Sequence, residues 1–347
     1  MATHYKWKPH KAMPTKRVFC SALELDSNLY VVGGCDAMGQ PIDSLEVYIS
    51  AKEQWKTLSN MPTKRAAPSV AAVGKKLVAI GGVSSNQQPL DVVEVYNVEE
   101  KKWSARESLK DKLLGLACVV RDDKVIVVGG MSIDTNPKDH MLSYDVATDR
   151  WQSLPPMPTA RYACFAFLIR DKLYVLGGRQ GKVPVTAFEV FDFAENKWRK
   201  LPDIPSKRVF ALYTHSDTHI YSLGGLKETA TEGFSDITEV FDLEKEAFDL
   251  EKETWHIGKP MPTKRGDFGV GYVGNKVIAA GGLGNQGRPL VETESYDQLT
   301  DTWASEGSLP TAHCSCAYTM FQGRLHIIGG LSIGGPTGAV ESLIYKK

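Results

Sequence analysis

Apolar residues along this chain come in short runs rather than at helical spacing. The runs "LYVV", "LVAI", "VIVV", "LYVL", "IYSL", "VIAA" and "LHII" each end on a Gly-Gly pair. Upstream of each lies a second strand-like segment, such as "RVFCSALEL" or "RYACFAFLI". A Pro-containing turn opens it, and a polar turn such as "DSN" or "RDDK" closes it. Downstream, a variable polar loop leads to "LEVY", "VEVY", "FEVF" or "TEVF", and a last turn leads to a Trp. Apolar runs this short, bounded by turn residues, predict four β-strands per unit and no long helix.

The unit recurs along the chain. Gly doublets begin at Gly33, Gly81, Gly129, Gly177, Gly224, Gly281 and Gly329, with spacings of 48, 48, 48, 47, 57 and 48. Trp7, Trp55, Trp103, Trp151, Trp198, Trp255 and Trp303 each stand 26 residues before the first glycine of a doublet. A four-stranded sheet with two partly apolar faces cannot bury both alone. Seven such sheets set radially bury each face on a neighbour and leave only short edges. The expected fold is all-β, seven blades of four antiparallel strands. The glycines are expected where backbone must approach closely. The tryptophans, with Tyr48, Tyr96, Tyr144, Phe191, Phe241 or Phe248, Tyr296 and Tyr345, are expected in the core between blades.

The last doublet is followed by "AVESLIY" and two lysines, with no Trp strand. The segment around Trp7, about residues 4–9, is therefore expected to complete the last blade with residues 313–345, closing a single domain over 1–347. One unit is out of register, because "FDLEKEA" at Phe241–Ala247 recurs as "FDLEKET" at Phe248–Thr254. Residues 241–254 thus read as an acidic, solvated insertion between the third and fourth strands of that unit.

Composition narrows the function classes. With 42% hydrophobic residues the chain can bury a core, which excludes general disorder. The 41 basic and 41 acidic residues cancel, so no overall field favours nucleic acid or anionic membrane, and neither partner is expected. No apolar run reaches the ~18 residues of a membrane helix, and "MATHYKWKPHK" carries no apolar signal core. Six scattered cysteines fit reduced thiols. The expectation is a soluble cytoplasmic monomer, with the nucleus as the other compartment.

The residue sixteen before each doublet is Arg17, Arg65, Leu113, Arg161, Arg208, Arg265 and His313. It opens the innermost strand, so pseudosymmetry is expected to gather these side chains at a channel mouth, where guanidinium forks suit carboxylates. A Glu stands two residues before the repeat's aromatic, at Glu46, Glu94, Glu189, Glu239 and Glu294, in every unit that carries Arg. Where Arg becomes Leu113, the Glu position becomes Leu142. That joint loss points to an Arg–Glu pair inside each blade. Pairing alone, and pairing that leaves guanidinium for a ligand, both stand at this point. Directly after the doublets come Cys35, Val83, Met131, Arg179, Leu226, Leu283 and Leu331, an aliphatic set with one basic member. It suits a partner's hydrophobic segment with an acidic flank.

Enzyme chemistry finds no foothold. His215 and His219 flank a predicted hairpin turn, and the C-x-C at Cys314 and Cys316 has no second pair. No phosphate loop, dinucleotide fingerprint or nucleophile elbow occurs. No catalytic residue, metal or cofactor is expected.

The Gly doublet followed by a Tyr and then a Trp resembles the kelch repeat, over about residues 4–345. "RVFCSALE", "VVGGCDAMGQPID", "IGGVSSNQQPLDVVEVYN", "LYVLGGRQ", "AFEVFD", "KRGDF" and "AGGLGNQ" resemble the kelch domain-containing protein 8 subgroup. The resemblance implies a seven-bladed kelch β-propeller, serving as a non-enzymatic scaffold that binds a protein or peptide partner. In kelch substrate receptors, arginines at the matching position grip acidic peptides. That implies partner binding at Arg17, Arg65, Arg161, Arg208 and Arg265, in part at His313, and not at Leu113. Arg179 joins them as the basic residue of the post-doublet loops. Those receptors often carry Tyr directly after the glycines, and this chain does not. Two other readings follow from the same resemblance. One is a substrate-recognition subunit working with a separate ubiquitin-ligase adaptor, because the repeats leave no room for a BTB-type segment. The other is a kelch-type propeller enzyme such as a copper oxidase, whose His, Tyr and Cys cluster has no counterpart here.

Overall fold

The computed structural model describes residues 4–228, 230–246 and 254–347. The chain divides into two compact units, Phe19–Asp203 and Ile204–Lys347 with Met1–Val18. Phe19–Asp203 holds four four-stranded antiparallel sheets, the first to fourth blades, each with its strands in chain order. In the first blade these are Ser21–Leu25, Asn28–Val32, Leu45–Ile49 and Gln54–Thr57. In the third they are Ala117–Arg121, Lys124–Val128, Met141–Asp145 and Arg150–Leu154. The other unit holds three further four-stranded sheets, the fifth to seventh blades. In the seventh, Tyr5–Pro9 pairs antiparallel with Val340–Tyr345, matching Tyr5 to Tyr345, Trp7 to Leu343 and Pro9 to Glu341.

Burial explains the apolar runs. The second strand of a blade is covered on both faces, so Leu29–Val32, Leu77–Ile80 and Val125–Val128 are buried without alternation. The outermost strands, Gln54–Thr57 and Lys102–Ala105, are mostly exposed apart from their Trp. Cores form between neighbouring blades. Val78, Ile80, Val93 and Val95 of the second blade meet Leu113, Val125, Val127 and Tyr144 of the third. The repeat aromatic packs at a tilt against the Trp across from it, as Tyr96 on Trp103 with ring centroids 5.3 Å apart and Tyr144 on Trp151 at 4.8 Å. Indole N–H groups reach the preceding blade, Trp103 to the Ser59 carbonyl at 2.8 Å and Trp151 to that of Glu107 at 2.9 Å.

One alignment differs from the sequence expectation, and a second decides between two residues left open. In the seventh blade Leu343, not Tyr345, lies opposite Trp7, because this blade places a leucine where the others place an aromatic. In the fifth, Phe241 rather than Phe248 pairs with Trp255. One helical turn, Leu243–Glu246, follows the strand Thr238–Asp242. The rest of the duplicated stretch, through residue 253, lies outside the described residues.

The doublets clamp backbone to backbone. Gly34 N–H donates to the Arg65 carbonyl at 3.1 Å, so the first blade's doublet holds the segment that leads into the second blade. The same bond recurs from Gly82 to Leu113, Gly130 to Arg161, Gly225 to Arg265, Gly282 to His313 and Gly330 to Arg17. At Gly33, with φ +65°, a Cβ would lie 2.6 Å from the Arg65 carbonyl oxygen, which is why no side chain is accepted there.

Candidate functional site

Each lead-in segment carries the Arg or its substitute and then turns sharply. The residue two places after it has positive φ in all seven repeats: Phe19, Ala67, Gly115, Ala163, Phe210, Asp267 and Ser315. This left-handed step interrupts the strand. The regular ladder begins at Ser21, Ser69, Ala117 and Phe165, four residues after the Arg position, rather than at that position as the sequence suggests. The step is held by neighbours, since Ala67 N–H donates to the Phe19 carbonyl and Ala163 N–H to that of Gly115, both at 2.9 Å. In the other unit the Ser315 hydroxyl donates to the Asp267 carboxylate at 2.6 Å. Burial lifts the Asp267 carboxyl above the usual range, and that bond opposes the shift.

The turn points the arginine inward. Arg17, Arg65, Arg161 and Arg265 are 0% exposed, Arg208 4% and His313 1%. Arg65 fills its fork within the second blade: Nη1 donates to the Gly81 and Val92 carbonyls, each at 2.9 Å, and Nη2 to Glu94 at 2.6 Å. Arg161 repeats this with Gly177, Ala187 and Glu189. Arg265 reaches Gly281, Glu292 and, as an ion pair at 2.8 Å, Glu294. Arg208 pairs with Glu239 at 2.8 Å. Burial lowers the pKa of Arg65, and the Glu94 charge pulls it back up. From the sequence, pairing alone and pairing that leaves guanidinium for a ligand both stood open. The structure places these six side chains in the blade interior, where pairing and carbonyl contacts occupy those described above.

Two participants escaped the sequence analysis. Glu341 lies 2.7 Å from His313 Nε2, while His313 Nδ1 faces the Gly329 carbonyl at 2.7 Å. It was missed because counting back from Tyr345 displaces the Glu position by two. The threonine of the "MPTKR" and "MPTAR" turns completes the cluster, with Thr63 donating to Glu94 at 2.9 Å and Thr159 to Glu189 at 2.8 Å. A hydroxyl residue two places before each Arg, Thr15, Thr63, Thr159, Ser206 and Thr263, was the available signal.

What remains at the surface is different chemistry. Lys64 and Lys112, next to the buried positions, are exposed, as are Lys207 and Lys264 in the other unit. Arg179 keeps part of its side chain outside, over the Tyr162 ring at 5.5 Å, with Nε donating to the Gly181 carbonyl. Within Phe19–Asp203 the post-doublet residues bridge to the lead-in segments, Val83 to Ala66, Met131 to Leu114 and Arg179 to Tyr162. Both loop sets therefore lie at one edge of their blades. That edge exposes apolar side chains: Phe19 is 53% exposed, Met38 82%, Ile133 56% and Val183 59%. Among the described residues no group of three or more His, Cys, Asp or Glu side chains could hold a metal ion.

Seven four-stranded antiparallel blades, four in one unit and three in the other, with glycine doublets tying six of them to a lead-in segment of the same unit, define a seven-bladed β-propeller. The structure of YjhT shares this fold, with a TM-score of 0.65 at 16% identity over 86% of this chain and 99% of that one. A family model for the KLHDC2/KLHL20/DRC7 Kelch-repeats domain matches residues 115–330, and one for the Attractin/LZTR1 beta-propeller matches residues 2–187. The chain belongs to the kelch-repeat family. It is 40% identical over 174 residues to kelch domain-containing protein 8B of Rattus norvegicus and to that of Homo sapiens. That stretch is 48% of this chain and 48% of each relative, so the match spans about half the length of these relatives. Kelch-like protein 34 of Homo sapiens is 30% identical over 123 residues, 35% of this chain and 19% of that protein.

Proposed function

We propose that this chain is a non-enzymatic protein-interaction module whose partner docks on the loop edge of the Phe19–Asp203 blades. Membership of the kelch-repeat family supports the class of function, and the surface chemistry supports the kind of partner. The partner segment offers apolar side chains to Phe19, Met38, Ile133 and Val183, and acidic residues to Lys64, Lys112 and Arg179. The buried Arg65 and Arg161 act as positioning residues that fix the loops carrying this surface.

Phe19 carries the reading. It adopts φ 55° and leaves its ring 53% exposed. A bulky residue in the left-handed region is strained, and an exposed aromatic forgoes burial. The equivalent positions of the same unit hold Ala67, Gly115 and Ala163, so the step itself does not require an aromatic, and in the other unit Phe210 repeats the exposed ring at 53%. Strain combined with exposure marks a residue retained for contact.

Peptide display against the full chain tests this. Selected peptides are expected to combine apolar residues with Asp or Glu and to bind more weakly as salt rises. Phe19→Gly relieves the strained turn, so it is expected to raise the melting temperature while weakening those peptides by about tenfold or more. No selected peptides, or peptides that bind Phe19→Gly as they bind the native chain, would refute the docking surface.

A further inference from the structure

The third blade departs from its neighbours at three linked positions. Leu113 and Leu142 replace the Arg and Glu. The residue two before that Glu position, Val92 in the second blade and Ala187 in the fourth, is His140. In the second and fourth blades the arginine Nη1 donates to the first doublet carbonyl, Gly81 at 2.9 Å and Gly177 at 3.1 Å. In the third, His140 Nε2 lies 2.9 Å from the Gly129 carbonyl and supplies that donor. The backbone acceptor is satisfied without a guanidinium, and the space of the ion pair is left open.

Beside it lies a cavity of about 220 Å³, lined by the apolar Leu109, Leu113, Leu142 and Trp151 and by the polar Lys110, Asp111, His140, Gln152 and Ser153. An apolar cavity of about 150 Å³ already holds benzene, so this one has room for a bicyclic ring. Among its polar lining groups, His140 has a defined hydrogen-bonding role. The Gly129 carbonyl can only accept, so Nε2 carries the proton and Nδ1 of the neutral ring is an acceptor. Nδ1 makes no hydrogen bond among the described residues. Burial holds the His140 pKa below the ordinary histidine value, which keeps the ring neutral at pH 7.

We infer that this cavity binds a small aromatic ring bearing one hydrogen-bond donor, of the indole or phenol class. The ring lies against Leu113, Leu142 and Trp151, and its N–H or O–H meets His140 Nδ1. The chemistry is shared by a free small molecule and by a Trp or Tyr side chain of a partner. The inference does not rest on the docking surface around Phe19.

Calorimetric titration of the full chain with indole, phenol, toluene and N-acetyl-L-tryptophanamide tests it. Indole and phenol are expected to saturate one site, with toluene weaker by about fivefold for want of a donor. Leu142→Phe enlarges an apolar lining residue and is expected to weaken indole by about tenfold or more. The double variant Leu113→Arg with Leu142→Glu restores the neighbours' pair and is expected to do the same, with melting curves checking that each variant folds. Tight binding of N-acetyl-L-tryptophanamide supports the site with a partner side chain as the source. Its exclusion while indole binds supports the site with a free compound as the source. Absence of saturable indole binding, equal binding of toluene, or undiminished binding by a folded Leu142→Phe would overturn the inference.

Discussion

The third blade also shows how the buried ion pair of the second can be removed, and this sets a quantitative test. Arg65 is 0% and Glu94 2% exposed, at 2.6 Å from each other. Arg65→Leu leaves a buried carboxylate with, among the described residues, the Thr63 hydroxyl as its polar side-chain partner, at an expected cost of about 3–5 kcal/mol. Glu94→Leu strands the guanidinium at a similar cost. The double variant removes both charges and leaves the Gly81 and Val92 carbonyls without their side-chain donor, costing about 1–3 kcal/mol. The double change is then far smaller than the sum of the singles, a coupling of about 3 kcal/mol or more. Adding Val92→His copies His140, which caps Gly129 at 2.9 Å, and is expected to recover about 1 kcal/mol. Urea unfolding of the four chains of the cycle, with m held as a check on the unfolded state, reads these values. Additive single effects would refute the argument that pairing, rather than each charge by itself, holds this site.

Two further outcomes follow from the geometry. Gly33→Ala, at φ +65° and 2.6 Å from the Arg65 carbonyl, is expected to destabilise by more than about 2 kcal/mol. Gly39→Ala, at φ +75° with nothing within 4 Å, costs only about 1 kcal/mol, and thermal melts separate the two. His326, stacked on His10 at 5.6 Å and against Phe321, is held down at about 4 by burial. A depressed histidine favours the neutral ring in the fold, so its contribution is complete above pH ~6.5 and falls by about 3 kcal/mol toward pH 4. Urea midpoints at pH 7 and pH 4.5 should therefore differ less in His326→Gln than in the native chain. Equal differences would exclude this histidine as the cause.

The fold was legible because its determinants recur in the chain. The doublet and the Trp hold fixed positions, and each answers a backbone or packing demand that only glycine or a large indole meets. Pairing of Arg with Glu was legible from the joint change at Leu113 and Leu142. The direction of those arginines was not. It depends on the left-handed step two residues later, where Phe, Ala, Gly, Asp and Ser all occur. No side-chain signature marks the step, because backbone bonds such as Ala67 N–H to the Phe19 carbonyl hold it. His140 was equally silent, since its role arises from proximity to Gly129, eleven residues away across a loop.

The lead-in segment is gripped from two sides, and this separates what must stay from what can change. In Phe19–Asp203 the Gly34 amide holds the Arg65 carbonyl, and the Arg65 side chain holds the Gly81 carbonyl at 2.9 Å. Gly82 in turn holds Leu113, His140 caps Gly129, Gly130 holds Arg161, and Arg161 holds Gly177. The first three doublets thus donate toward the next blade, while those of the second to fourth blades accept within their own. The third blade keeps this sequence of contacts with a different side chain, so the backbone bonds rather than the guanidinium are the invariant requirement. None of them involves the tips beyond the doublets, where Met38, Ile133 and Val183 stand in solvent. Loop tips can therefore be rewritten without disturbing the contacts between blades, and the docking surface proposed above assigns partner choice to those tips and to the exposed lead-in residues beside them.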